Sequence, residues 1–392
     1  MFITRDIANI IRSGISQVPV LAVIGPRQSG KSTLVKDIFS NYTYLDMQDA
    51  ELFDFANHDP KGFLQAYKNE HGIIIDEAQY APKLFAQIKV ESDKNPRPGY
   101  YILCGSQNFL LHEKISESLA GRAYFYRLLP LSIHELNAAG LLREPVQNQM
   151  VQGFYPKVYQ PAINQHDYYE NYISTYVERD IRSIKNIDNI LTFKKFMRIC
   201  ALRVGTTLNI TDLAMNCGIS YATAKSWLSL LEASFILFLL PSYHDNLGKR
   251  ITKSPKLYFY DVGLAITLMG IDTSVLISKR DIYGALFENM VVVDLIKNFY
   301  ANNVSYTLTF FRDSNKNEID LIIESKGRVI PIEIKAAPMV QADFFKTVDW
   351  FRNEIKSPEN SIVVYGGDQE QKRTNRTVVS WKNLGQIVKS LC

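Results

Sequence analysis

The sequence predicts an α/β protein: a parallel sheet with helices on both faces, then a helical middle, then a second and smaller α/β segment. Three observations predict it. Five short apolar runs alternate with helix-length stretches across the first third, the pattern of strands connected by crossover helices. The first run, VPVLAVIG (18–25), is apolar almost throughout, as a strand buried on both faces must be. In the last third, Ile319, Leu321 and Ile323 alternate, then Ile330, Ile332 and Ile334, with Lys326-Gly327 between the two sets. That is a hairpin signature.

Composition sets the bounds. The chain has 392 residues, 46% hydrophobic and 21% charged, enough for two or three folded domains. Net charge is +4, which permits nucleic-acid contact without demanding it. Cys104, Cys200, Cys217 and Cys392 have no zinc-like or thioredoxin-like spacing, so a reducing compartment is expected. The opening MFITRDIANIIRSG does not read as a signal peptide, and the most apolar run, ASFILFLLP (233–241), is too short to span a bilayer. The expectation is a cytoplasmic protein with no membrane partner.

The remaining strands are expected at YTYLDM (42–47), GIIIDE (72–77), GYYILCGS (99–106) and AYFYRLLPL (123–131). Polar stretches at 143–149 and 270–281 suggest boundaries, so the expected domains are 1–148, 149–275 and 276–392.

The first strand runs into Gly25-Pro26-Arg27-Gln28-Ser29-Gly30-Lys31-Ser32-Thr33, which fits G-x-x-x-x-G-K-[ST] without a mismatch. STLVKDIF then reads as a helix. Glycines let the backbone wrap a phosphate, and a helix N-terminus adds N–H groups and dipole. This is a nucleotide cradle for ATP, with Lys31 reaching the outer phosphates and Ser32 on Mg²⁺. The stretch GIIIDE ends in two acids: Asp76 suits the Mg²⁺ shell and Glu77 suits orienting an attacking water. A helix N-cap would account for that acid pair alone; the upstream cradle favours the functional role. Ser106 or Gln107, just past the fourth strand, is placed to sense a γ-phosphate, and a simple turn accounts for them equally well. Arg122, before the fifth strand, is a candidate to stabilise transition-state charge in its own or a neighbouring subunit. A structural ion pair would also suit it.

GPRQSGKST, IIIDEAQ, CGSQNFLL and LAGRAYFYRLLPLSIHEL together resemble the prokaryotic AAA+ ATPase family that carries a C-terminal domain of unknown function. The resemblance covers nearly the whole chain. It implies an AAA+-like P-loop sheet and strengthens Arg122 as an arginine finger, which in trans would require a homo-oligomer. It also implies a C-terminal domain similar to the PD-(D/E)xK nuclease fold, an α/β restriction-endonuclease-like domain.

ITDLAMNCGISYATAKSWLSLLEASFIL (210–237) has the spacing of a helix-turn-helix, with Gly218 in the turn, Ser220 as N-cap, and Trp227, Leu228 and Leu231 on one face. Lys249, Arg250, Lys253 and Lys256 then flank an expected hairpin, and the whole resembles a winged helix. DNA binding would put a helix in the groove and Lys249, Arg250 and Lys253 on phosphates. A structural module would look much the same.

If Lys326 and Gly327 form a two-residue turn, Ser325 faces Arg328 and, counting outward, Asp320 faces Glu333. Lys335 shares their face. Facing carboxylates repel, and Mg²⁺ between them would remove that cost. Lys335 could then polarise a water. On the helix-like stretch 283–300, Glu288 lies on the apolar side, where a carboxylate needs a cation or partner. Glu288, Asp320, Glu333 and Lys335 match the nuclease family's helical acid and D…E-x-K set. An exposed strand face and a structural salt bridge would also produce these acids.

The expected function is ATP binding and hydrolysis, coupled to a Mg²⁺-dependent nuclease-like domain acting on DNA. The alternative is a nucleotide-switch or DNA-binding regulator, working on a protein partner or DNA, whose nuclease-like domain does not cut.

Overall fold

The computed structural model describes residues 2–106, 118–177, 189–243, 254–315, 317–355, 357 and 359–392. The chain divides into two compact units, residues 2–130 with 233–235, and residues 131–232 with 236–392.

The first unit is built on β1 (Val20–Ile24), β2 (Thr43–Asp46), β3 (Ile73–Asp76), β4 (Tyr101–Gly105) and β5 (Ala123–Arg127). All five are parallel, in the order β2-β3-β4-β1-β5. β1, β3 and β4 are buried at every position, which is why they read as unbroken apolar runs. Leu34 and Val35 of the helix Lys31–Ile38 pack with Leu21, Val23, Ile74, Ile102 and Cys104 in one core. Because the strands run the same way, the residues that follow β1, β3 and β4 emerge at one edge of the sheet. Ligands in open α/β folds bind at that edge.

The second unit begins with Leu131, whose N–H donates to Phe154 O at 2.9 Å. Its helices Ile210–Cys217 and Tyr221–Ala233 are joined through Gly218 in the left-handed region and Ser220, whose Oγ accepts the N–H of Thr223. Trp227 packs edge-on against Phe193 and Phe196. β6 (Leu237–Leu240) and β7 (Lys256–Phe259) pair antiparallel. Lys249, Arg250 and Lys253 lie outside the described residues.

Six further strands form a mixed sheet: β8 (Thr307–Arg312), β9 (Glu318–Ser325), β10 (Arg328–Lys335), β11 (Ser361–Tyr365), β12 (Gln371–Arg373) and β13 (Arg376–Ser380), in the order β12-β13-β11-β10-β9-β8. Lys326 and Gly327 have φ of 49° and 78°, the left-handed pair of a two-residue hairpin turn. Ser325 pairs with Arg328, as the turn chemistry requires, and the ladder runs to Ile332 opposite Leu321. The helix Arg280–Asn302 packs on β10. Val348 and Phe351 of the helix Lys346–Glu354 pack on Ile319, Ile322 and Val363.

The cut between the compact units falls at 130, and residues 236–392 stay together in one of them. Phe310 N donates to Pro241 O at 3.1 Å and Tyr243 N to Phe310 O at 2.7 Å, so backbone bonds tie the middle to the C-terminal sheet. Among the described residues no helix is long and apolar enough to cross a membrane.

Candidate functional site

The loop 25–33 joins β1 to the helix Lys31–Ile38. A Cβ at Gly25 would stand 2.0 Å from the Leu128 carbonyl oxygen, so glycine is required for this close approach. Gly30, at φ 94°, is the helix N-cap in the left-handed region that glycine tolerates best. Lys31 is buried, with Nζ donating to the carbonyls of Gly25 (3.0 Å) and Pro26 (2.8 Å). Burial pulls its pKa down, against the opposing carboxylates of Glu77 and Asp76. Ser29 Oγ and Gln28 Oε1 are buried without a hydrogen-bond partner. Unsatisfied polar atoms in a glycine-bounded loop at a helix N-terminus fit a phosphate cradle. Arg27 donates to the Tyr80 hydroxyl, while Thr33 is exposed.

Asp76 ends β3, and its Oδ2 accepts from the Tyr44 hydroxyl at 2.5 Å. Ser32 is a further hydrogen-bond partner of Tyr44; burial, then Asp76, raise the phenol's pKa. Glu77 follows with φ of 49°, uncommon for a residue with a side chain. Its Oε2 accepts from Gln79 Nε2 at 2.5 Å and from Ser106 Oγ at 3.1 Å. Ser106 is therefore held on Glu77, while Gln107 lies outside the described residues. Pro26, Ser32, Glu77 and Ser106 follow, and Asp76 closes, the same ends of their strands.

Arg122 does not join them. Its backbone carbonyl accepts from Val20 N, at the start of β1. The five residues of β1 separate it from the loop, roughly 16 Å at the rise of a strand. Its guanidinium is bound to Asp93 Oδ1 (2.5 Å), Asp93 Oδ2 (3.1 Å) and the Ala120 carbonyl. Within its own sheet Arg122 therefore lies away from the loop. A residue that precedes a parallel strand enters at the pole opposite the cradle, and here it forms a structural ion pair.

In the second unit, Asp320, Glu333 and Lys335 come together. Asp320 Oδ2 accepts the N–H of Ile334 at 2.8 Å and lies 3.8 Å from Lys335 Nζ, which is also paired with Glu333. Burial, then Asp320, push Glu333 up to about 8, against Lys335. Glu288 turns elsewhere. Lys256 Nζ donates to its Oε1 at 2.9 Å, and the Tyr258 hydroxyl donates to the same oxygen. Burial raises Glu288 to about 7 despite Lys256, and Asp320 adds to the rise. Among the described residues, no group of three or more His, Cys, Asp or Glu side chains could hold a metal ion. Of the expected set, Glu288 is paired with Lys256, and Asp320 and Glu333 are paired with Lys335. Lys256 itself was expected to flank a hairpin. It is 1% exposed and buried among acids.

Four residues of these sites were given no site role by the sequence. Arg5 donates to Ser29 O at 2.7 Å and Leu129 O at 2.6 Å, bracing the loop. Tyr44 links Ser32 to Asp76, and Gln79 restrains Glu77. Lys256 sits among the C-terminal acids. Tyr44 reads only as a strand former, and Arg5 and Lys256 lie far in sequence from what they touch; Gln79 alone, two residues from Glu77, was within reach of local reasoning.

Three segments match known families: residues 17–137 the AAA domain, residues 143–275 the domain of unknown function DUF8612, and residues 283–384 the domain of unknown function DUF4143. Uncharacterized proteins of Mycobacterium tuberculosis and Mycobacterium bovis are each 28% identical over 333 residues, covering 84% of this chain and 73% of theirs. A Walker-type ATPase of Pyrococcus abyssi aligns in structure with 15% identity, covering 68% of this chain and 96% of its own, at a TM-score of 0.48. Strand order, loop and family match agree: residues 17–137 form a P-loop ATPase domain of the AAA type, joined in one chain to a C-terminal DUF4143 domain.

Proposed function

We propose that this chain is an ATP-driven switch in which hydrolysis at the edge of the first sheet changes the state of the second unit. The observation that carries the hydrolytic part is Glu77. Its carboxylate is held by Ser106 and Gln79 just past β3, beside Asp76 and on the same sheet edge as Lys31. A carboxylate fixed in this way can orient and deprotonate a water. Residues Gly25 to Thr33 would cradle the phosphates, and Lys31 would exchange its two carbonyl partners for phosphate oxygens. Ser32 and Asp76 would hold Mg²⁺, which would neutralise charge on the β- and γ-phosphates. Arg122 could act only on the ATP of a neighbouring copy, so a finger role requires a homo-oligomer. The helix pair 210–233 with β6 and β7 suits a winged helix, with Lys249, Arg250 and Lys253 meeting DNA phosphates or a protein partner.

Steady-state hydrolysis and ATP binding by Lys31→Ala test the site. Loss of both is expected; a variant that hydrolyses ATP normally would refute the assignment.

DNA cleavage by the second unit is the second reading. The convergence of Asp320, Glu333 and Lys335 favours it, since two carboxylates and a lysine can serve Mg²⁺-assisted phosphodiester hydrolysis. Plasmid, linear and single-stranded DNA incubated with Mg²⁺ or Mn²⁺, with and without ATP, would test it. Cleavage lost on Asp320→Ala and Lys335→Ala would establish it.

A further inference from the structure

We infer that Lys256 is the built-in counter-ion of the C-terminal acids, taking the place of a divalent cation, and that this cluster is a structural clamp that does not load metal. The observation is geometric. Lys256 opens β7, within the segment matched at 143–275, and reaches acids of the segment matched at 283–384. Its Nζ lies 2.9 Å from Glu288 Oε1 on the helix Arg280–Asn302 and 2.7 Å from Glu318 Oε1 on β9. The Phe310 ring lies 5.3 Å from the same nitrogen. The side chain is 1% exposed, so this is no solvated surface pair.

A lysine is almost never fully buried unless paired, and here the pairing is complete. The acids it neutralises include the one helical carboxylate that a three-acid metal set would need. An ammonium and a divalent cation cannot share Glu288 without strong repulsion in so dry a place. Removing the lysine would leave Glu288 with the Tyr258 hydroxyl and no cation, and Glu318 with Arg312 at 3.6 Å, a costly state that a metal ion could relieve. The clamp joins β7 to the helix Arg280–Asn302 and to β9 within one unit. The inference does not depend on the ATPase reading, and it opposes metal-dependent cleavage.

The test uses the full chain without nucleotide and Mn²⁺ as the probe, followed by electron paramagnetic resonance of free Mn²⁺. The expected result is that Asp320→Asn and Glu333→Gln leave the Mn²⁺ binding of the wild type unchanged. A saturable equivalent, tighter than about 1 mM, present in the wild type and lost in Asp320→Asn would overturn the inference. This arm stands whether or not a lysine variant folds. In the second arm, Lys256→Met should melt at a lower temperature than wild type and recover at least part of the loss in millimolar Mn²⁺. Wild-type melting should not respond to Mn²⁺ through these acids. A Lys256→Met protein with wild-type melting and no response to Mn²⁺ would also overturn it.

Discussion

Replacing Ser106 by alanine should slow ATP hydrolysis without weakening ATP binding. Ser106 Oγ donates to Glu77 Oε2 at 3.1 Å, and Gln79 donates to the same oxygen at 2.5 Å. A hydrogen bond to a charged group contributes about 1.5–3 kcal/mol. The longer Ser106 bond, with Gln79 still in place, belongs at the lower end of that range. Glu77 also holds a left-handed backbone, φ 49°, so its carboxylate position depends on side-chain restraint. If about 1.4 kcal/mol of that restraint is felt in the transition state, kcat falls about tenfold. Steady-state hydrolysis measures kcat, and equilibrium binding of a fluorescent ATP analogue measures affinity separately. Ser106→Thr keeps the hydroxyl and should retain most of the rate. Unchanged kcat in Ser106→Ala with weakened ATP binding would refute the reasoning, because Ser106 would then act on phosphate rather than through Glu77.

Arg5→Ala removes two charged hydrogen bonds to buried carbonyls of Ser29 and Leu129. It should lower the melting temperature of the ATPase unit by on the order of 5–10 °C and weaken ATP binding, as calorimetry and nucleotide titration would show. Arg122→Ala breaks a half-exposed pair with Asp93. It should cost no more than about 1 kcal/mol and leave hydrolysis at low protein concentration unchanged. A loss of about a thousandfold that appears only at high protein concentration would instead mark a finger supplied in trans. Glu333 is raised from 4.5 to about 8, so the folded chain keeps a proton that the unfolded chain releases. Its contribution to stability is complete below about 4.5 and is lost as pH rises through about 8. Against Glu333→Gln, whose side chain is always neutral, the wild-type melting temperature should decline across that window in metal-free buffer. Parallel melting curves would contradict the assigned shift.

The first sheet was legible because its three central strands are buried on both faces, so Val20 to Ile24 or Ile73 to Ile75 announce themselves as unbroken apolar runs. The cradle was legible because Gly25, Gly30 and Lys31 are demanded by local geometry at fixed spacing. The register of β9 and β10 was legible for a related reason: Lys326-Gly327 permits a two-residue turn, and the turn sets the pairing of Ser325 with Arg328. Residues whose role depends on distant partners were not. Tyr44 looks like any strand tyrosine until β2 lies beside β3. Lys256 looked like one basic residue in a basic stretch, and only the fold buries it between Glu288 and Glu318. Arg122 is different again, since strand direction alone places the residue before β5 opposite the loop after β1. That could have been read from the sequence once the strands were taken as parallel. Glu288 was placed on the apolar side of its helix and does meet a cation there, but the cation is a lysine.

The central claim is that Glu77 is the residue that makes this P-loop domain hydrolyse ATP. Glu77→Gln keeps the side-chain shape and removes the charge. ATP binding by this variant should match the wild type, and steady-state hydrolysis should fall by on the order of a hundredfold or more, as for loss of a positioned acid–base group. Wild-type hydrolysis by Glu77→Gln would contradict the account.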